Sequence, residues 1–260
     1  MSYDDFLKYY YTMGFAKIHE NNQTRAIVVK TAEATKCQLI KVTVKEDCLV
    51  YLNLYQKNPR FVLKDGTYQQ PVLCFLMLID KDYNYIDSTS AKDMHICIEK
   101  ELKAGDYYLL CDVNYRFANK EGKNHNYNVT SYAPKEVLLQ NLTPYVKNIT
   151  DIFQYAIYTF AKANGKVQTK NNCKVYVYSS FKQKLPFVIA AYENATSTNC
   201  KSTTNITYKG GVSGCVYCDD ATSEKETKVV KDLKSGAINV VAIMRYTPSS
   251  LITITVDVSN

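Results

Sequence analysis

Alternation at every second residue governs this sequence. From Thr24 to about Leu139, eight short segments, among them QLIKVTV at 38–44, LVYLNLYQ at 49–56, MHICIEKEL at 94–102 and NYNVTSYA at 126–133, set apolar against polar positions between turn residues. Successive side chains of an extended strand point to opposite faces, so a period of two buries one face and wets the other. Short strands in such a series predict an antiparallel sandwich. Composition agrees, because 23 Tyr, 9 Phe and the Val, Ile and Thr runs favour strands, and 46% hydrophobic residues supply a core. The length, 260 residues, fits one large domain or two of ordinary size.

Two places break the alternation. Ser2, followed three residues later by Asp5, starts a helical pattern in which Phe6, Tyr10 and Met13 share a face until Gly14 ends it. Near the middle, Ile149, Ile152, Phe153, Ala156, Ile157 and Phe160 follow helical spacing, with Gly165 just past the end. Strand patterns then resume, from CKVYVYSS at 173–180 to LITITVDVS at 251–259. LKAGDYYLLCDVNYR at 102–116 aligns without a gap to LKSGAINVVAIMRYT at 233–247, an offset of 131, and YLNLYQKN at 51–58 echoes FVIAAYEN at 187–194, an offset of 136. The two offsets predict a tandem repeat of one sandwich unit. The expected organisation is a helical lead-in over 1–20, a β-sandwich over 21–145, a linker helix over 146–166 and a second, divergent sandwich over 167–260.

The formal charge of +7 is uneven: residues 141–260 hold 14 Lys and Arg against 8 Asp and Glu. Such a half-chain strengthens encounters with anionic surfaces. The lysines are scattered rather than interleaved with aromatics, which argues against nucleic acid as a partner. The first residues, MSYDDFLKYYYTMGF, carry acids where a signal peptide carries bases, and no apolar run approaches the roughly 20 residues of a membrane helix. A cytoplasmic protein is expected. Nine cysteines, mostly inside strand patterns, then read as small apolar residues in the reduced state.

The motifs resemble one family. YLNLYQKNPRF at 51–61, followed by LKAGDYYLLCDV at 102–113 and NYNVTSYA at 126–133, resembles the calpain-type β-sandwich, the C2-like domain that follows the protease core in calpain-like proteins. MSYDDFLKYYYTMGFAKI at 1–18 resembles the segment that closes that core, and PFVIAAYEN with LKSGAINVVAIM resembles the second, divergent sandwich of some family members. The resemblance implies an all-β fold of two tandem antiparallel β-sandwiches with a short N-terminal helix and a connecting amphipathic helix. Calpain proteolysis needs a Cys nucleophile, a His base and an orienting Asn. The family's Gln-Gly-x-x-Gly-Asp-Cys-Trp, His-Ala-Tyr and Asn-Pro-Trp-Gly stretches do not occur, and Trp is absent altogether. The expectation is a pseudoenzyme, not an enzyme.

Few constellations compete. His95 and Cys97 share a strand face and read as a packed pair rather than a catalytic dyad, while His19 and His125 stand apart. Asp80, Asp82 and Asn84 begin like a calcium loop, but Tyr85 replaces the turn Gly and Ala91 the bidentate Glu of an EF-hand. A looser loop site, with carboxylates from Asp80, Asp82, Asp87 and Asp65, remains as a calcium candidate; no other cofactor is expected. The lone C-x-x-C of Cys215 and Cys218 lacks the second pair of a four-cysteine zinc site. Tyr55, Lys57 and Arg60, at the end of a strand that runs into the Pro59 turn, form the recognition candidate. The reading that follows is a structural or interaction protein that binds a protein assembly, such as acidic cytoskeletal or ciliary filaments. The alternatives are a calcium- or lipid-responsive module recruited to membrane lipid, and the regulatory fragment of an active calpain-type protease.

Overall fold

The computed structural model describes residues 21–30, 37–56, 71, 73–113, 126–179, 187–209, 226–244 and 251–259. The helix expected over the first twenty residues lies outside them, as do Lys57, Arg60, Asp65, His19, His125, Cys215 and Cys218. Nine strands come first: β1 (Gln23–Lys30), β2 (Gln38–Val44), β3 (Cys48–Tyr55), β4 (Cys74–Ile79), β5 (Tyr85–Ala91), β6 (His95–Leu102), β7 (Gly105–Val113), β8 (Asn126–Ala133) and β9 (Val137–Asn141). The helix α1 (Ile149–Asn164) follows. Seven more strands complete the chain: β10 (Lys166–Lys170), β11 (Cys173–Tyr178), β12 (Phe187–Glu193), β13 (Cys200–Lys209), β14 (Glu226–Leu233), β15 (Ile238–Met244) and β16 (Leu251–Ser259).

The strands form four antiparallel sheets. In the first half an outer sheet of order β1-β8-β3-β6 faces an inner sheet of order β5-β4-β7-β2-β9; in the second, an inner sheet of order β10-β11-β12-β15 faces an outer sheet of order β14-β13-β16. Val50, Leu52, Ile98 and Val129 of the first outer sheet meet Ile40, Leu76, Leu78 and Leu109 of its inner sheet. Val175, Ala190 and Val241 meet Ile206, Val229 and Val258 in the second sandwich. The all-β expectation of two tandem antiparallel sandwiches therefore holds.

The helix does more than link them. Ile152, Phe153, Ala156, Ile157, Phe160 and Ala161 lie in one core with Leu39, Phe75, Met77 and Leu110 of the first inner sheet and Tyr176, Ile189, Ala191 and Val240 of the second. The order of layers is outer sheet, inner sheet, helix, inner sheet, outer sheet. Aromatic rings cross the helical layer twice. Phe75 of β4 lies 6.2 Å from Phe153 of α1 and 5.3 Å from Phe187 of β12. Tyr85 of β5 and Tyr178 of β11 each meet the Phe160 ring edge-on at 4.8 Å.

Pairing registers relate the halves. β2, β3, β6, β7 and β8 are joined as β2 to β7, β3 to β6 and β3 to β8, and β12, β13, β14, β15 and β16 repeat that pattern in the same chain order. Leu102 pairs with Cys48 and Leu233 with Cys200, so the alignment of 102–116 with 233–247 matches equivalent strands. The echo of 51–58 in 187–194 does not. It compares β3, in an outer sheet, with β12, in an inner one, and the strand at the position of β3 is β13. Two apolar strands look alike whatever their place in a sheet, which accounts for the false match.

Gly165 ends the helix for a reason other than a left-handed turn. Its backbone is extended (φ −86°, ψ 167°), and its N–H donates to the Ala161 carbonyl at 2.7 Å. A Cβ there would stand 2.6 Å from the Ala161 oxygen and 3.0 Å from that of Val177, so only glycine lets the chain turn from α1 straight into β10.

Candidate functional site

The outer face of the first sandwich carries a set of partly solvent-exposed aromatic groups, Tyr51, Tyr55 and Tyr132. Alternation along β3, β6 and β8 turns Leu52, Leu54, Ile96, Ile98 and Val129 inward and leaves Tyr51, Asn53, Tyr55, His95, Cys97, Glu99 and Tyr132 on the opposite face. Register then sets them in rows. Tyr132, Tyr51 and Glu99 stand abreast; Thr130, Asn53 and Cys97 form the next row; Asn128, Tyr55 and His95 form the third. Edge strand β1 extends the third row, since Val28, 61% exposed, pairs with Asn128.

The rows are held by specific contacts. The Tyr55 ring, 41% exposed, stacks on His95 at 4.4 Å between centroids and 14° between planes. Tyr51 and Tyr132 tilt together at 6.0 Å, and the Tyr51 hydroxyl donates to Glu99 at 3.5 Å. Asn53 is 7% exposed despite its place on this face; its Nδ2 donates to the Tyr51 carbonyl at 3.3 Å, and its Oδ1 lies 2.9 Å from His95 Nε2. That orientation makes Nε2 the donor and leaves the His95 lone pair on Nδ1. Burial lowers the His95 imidazole below its usual value against the opposing pull of Asp93, which keeps it neutral near pH 7. Burial, then Glu99, pushes the Cys97 thiol up to about 11. A protonated thiol is a poor nucleophile, so His95 and Cys97 share a face without forming a thiolate dyad.

The end of β3 is anchored at Gln56, the last described residue before Lys57. Gln56 donates from its backbone to the Met94 carbonyl at 2.9 Å and from Nε2 to the Asp93 carbonyl at 2.8 Å. Tyr55 is thereby fixed beside His95. Lys57 and Arg60, its proposed companions, lie beyond the described residues.

Of the four carboxylates of the calcium candidate, Asp65 lies outside the described residues, and Asp80 and Asp87 are engaged separately. Asp80 Oδ1 accepts the backbone N–H groups of Asp82 and Asn84, each at 2.8 Å, and Asn84 Nδ2 reaches Oδ2 at 3.0 Å. The Asp80 side chain thus closes the β4–β5 turn, in which Tyr83 takes a positive φ of 64°. Asp87, on β5, accepts from the Ser88 N–H at 2.8 Å and faces Lys100 at 3.7 Å. Asp82 is exposed at the turn. Among the described residues no three His, Cys, Asp or Glu side chains converge as metal ligands.

Sequence reasoning selected Tyr55 but not the row around it. Tyr51, Asn53 and Tyr55 at every second position were a readable signal, as were His95, Cys97 and Glu99; what the sequence does not display is that β8, from 126–133, lies beside β3.

Fold and face together define a class: an all-β protein of two sandwiches around a helical layer, with a tyrosine-rich outer sheet. No protein-family model matches the chain, and no curated protein matches it. Among solved structures, vicilin from Corylus avellana (hazelnut) aligns over 91% of this chain and 80% of its own at 8% identity, with a TM-score of 0.16. A score that low supports no argument. No helix among the described residues is long and apolar enough to cross a membrane.

Proposed function

We propose that this chain is a non-catalytic interaction module that docks onto a protein assembly through the outer face of its first sandwich. One observation carries the reading: Tyr51, Tyr55, His95 and Tyr132 stand in register on a sheet, with Tyr55 stacked on His95 and His95 bonded to Asn53. Tyr offers large contact area at small entropic cost, and rings already held in place lose little freedom on binding. The resemblance of 51–61 and 102–113 to the calpain-type sandwich supports a regulatory or scaffolding role. The charge of the second half favours a partner with an acidic surface, and cytoskeletal filaments with acidic tails have that chemistry.

Co-sedimentation of the full chain with such filaments tests the proposal. At about 0.1 M salt, where exposed charges are partly screened, the chain pellets with filaments, and the double variant Tyr55→Ser with His95→Ser loses affinity about tenfold or more. Failure to pellet with any filament, or undiminished binding by the double variant, overturns the docking face. Hydrolysis of casein by the purified chain overturns the non-catalytic assignment.

A further inference from the structure

The second sandwich holds two sulfurs in an unusual relation. Cys173 opens β11 in the inner sheet and Cys200 opens β13 in the outer sheet, both inside the core between them, and their Sγ atoms are 3.3 Å apart. Other buried thiols make ordinary weak hydrogen bonds to oxygen or nitrogen. Cys74 reaches the Ala91 and Asp93 carbonyls at 3.3 and 3.8 Å, and Cys111 meets the Tyr127 hydroxyl at 3.4 Å. Cys48, which holds in the first sandwich the register position of Cys200, is hydrogen-bonded by the backbone of Lys135.

The backbone on each side holds the pair in place. Asn171 and Asn172, with φ of 44° and 61°, form the two-residue turn between β10 and β11 that delivers Cys173, and Asn171 Nδ2 donates across the sandwich to the Val258 carbonyl of β16. Cys200 follows a loop pinned by Asn194, whose Nδ2 donates to the carbonyls of Thr198 and Leu233 at 2.8 and 3.1 Å. A disulfide requires sulfurs at about 2.05 Å, so closure asks for an approach of only about 1 Å.

We propose that Cys173 and Cys200 are a disulfide-forming pair whose closure joins the two sheets of the second sandwich covalently. The reaction is a two-electron oxidation by a small-molecule disulfide. One cysteine thiolate attacks the donor and releases its first thiol; the other displaces the second thiol, so one S–S bond forms in the protein as one breaks in the donor. Both protein thiols give up their protons, and the donor leaves as two thiols. With Cys173 at 1% and Cys200 at 6% exposure, the exchange takes place while the sandwich is still open, and the finished bond is shielded from reductant. This inference is independent of the docking face, which lies on the other sandwich.

The test is refolding of the full chain with oxidised and reduced glutathione, blocking of free thiols, and mass spectrometry of an unreduced tryptic digest. The expected product joins peptide 171–174 to peptide 185–201. Reduction in denaturant, followed by refolding in the presence of reductant, then lowers the Tm of the wild type by roughly 5–10 °C, as expected for a bond closing a loop of this length, and leaves that of Cys173→Ala unchanged. Recovery of both peptides as blocked free thiols, or joined to other cysteines such as Cys215 or Cys218, overturns the proposal. An unchanged Tm on reduction of the linked wild type overturns the staple. If Cys173→Ala does not fold, the wild-type digest and its reduction decide.

Discussion

Glu193, at the end of β12, sits where the helix meets the second inner sheet. Its Oε2 accepts the Tyr176 hydroxyl at 2.8 Å and faces Lys162 Nζ at 3.4 Å, while that ammonium donates to the Tyr158 hydroxyl at 3.0 Å and lies 5.4 Å from the centre of the Tyr158 ring. Burial alone would raise the Glu193 carboxyl, but the Tyr176 and Tyr158 hydroxyls and Lys162 outweigh it and hold the group below its usual range. A carboxyl whose pKa is lower in the folded state stabilises above its unfolded value, about 4.3, and that stability is lost as pH falls through the folded value. Glu193→Gln should therefore lower the urea midpoint at pH 7 and flatten its decline between about pH 5 and 3. Because the Lys162 side chain is 49% exposed, solvent screening keeps the effect small. An acid limb equally steep in the variant would assign the pH dependence to other carboxylates.

Among the elements, those that sequence reasoning read well and those it missed differ in burial. β3, β6 and β8 alternate between core and solvent, so their pattern gives away both strand and face. β4 is buried at all six positions and β12 at its first six, because the core of a sandwich covers one face and the helical layer the other. Their continuous apolar runs, CFLMLI and FVIAAY, were the trace of an extra layer, and a two-layer reading had no place for it. β9 and β10 escaped notice for the opposite reason. Both are five-residue edge strands, and all of β10, KVQTK, is exposed, so neighbours rather than propensity impose its extension. The helix was legible from its spacing, yet one apolar stripe does not reveal two partners. Phe153 shows what depends on it: its ring meets Phe75 of the first inner sheet and, at 5.8 Å, Phe187 of the second, and those two rings also meet each other. Phe153→Ala should cost about 3–5 kcal/mol in urea unfolding, the upper range for a buried aromatic, since neither sheet can close the gap without leaving its own partner. A loss below about 1 kcal/mol would mean that the layers collapse onto each other freely.

For the molecule as a whole, the shared helical layer decides how the halves unfold. Two sandwiches on a flexible linker would melt separately, each with its own enthalpy. Here Phe75 of the first half touches Phe187 of the second directly, and Leu39, Met77 and Leu110 share one core with the helix and with Ile189, Ala191 and Val240. Opening either sandwich exposes the apolar face of the other, so the free energy of one is coupled to the integrity of its neighbour. Calorimetry of the full chain should give a single transition with van't Hoff and calorimetric enthalpies in agreement. Cutting after residue 145 leaves the first inner sheet with Phe75, Met77 and Leu110 facing water, and this fragment should bind a hydrophobic dye that the full chain ignores. Two resolved calorimetric peaks, together with a fragment that neither binds dye nor aggregates, would show that the first sandwich is self-sufficient. The tyrosine face would then sit on an independent domain and would not inherit its rigidity from the helical layer behind it.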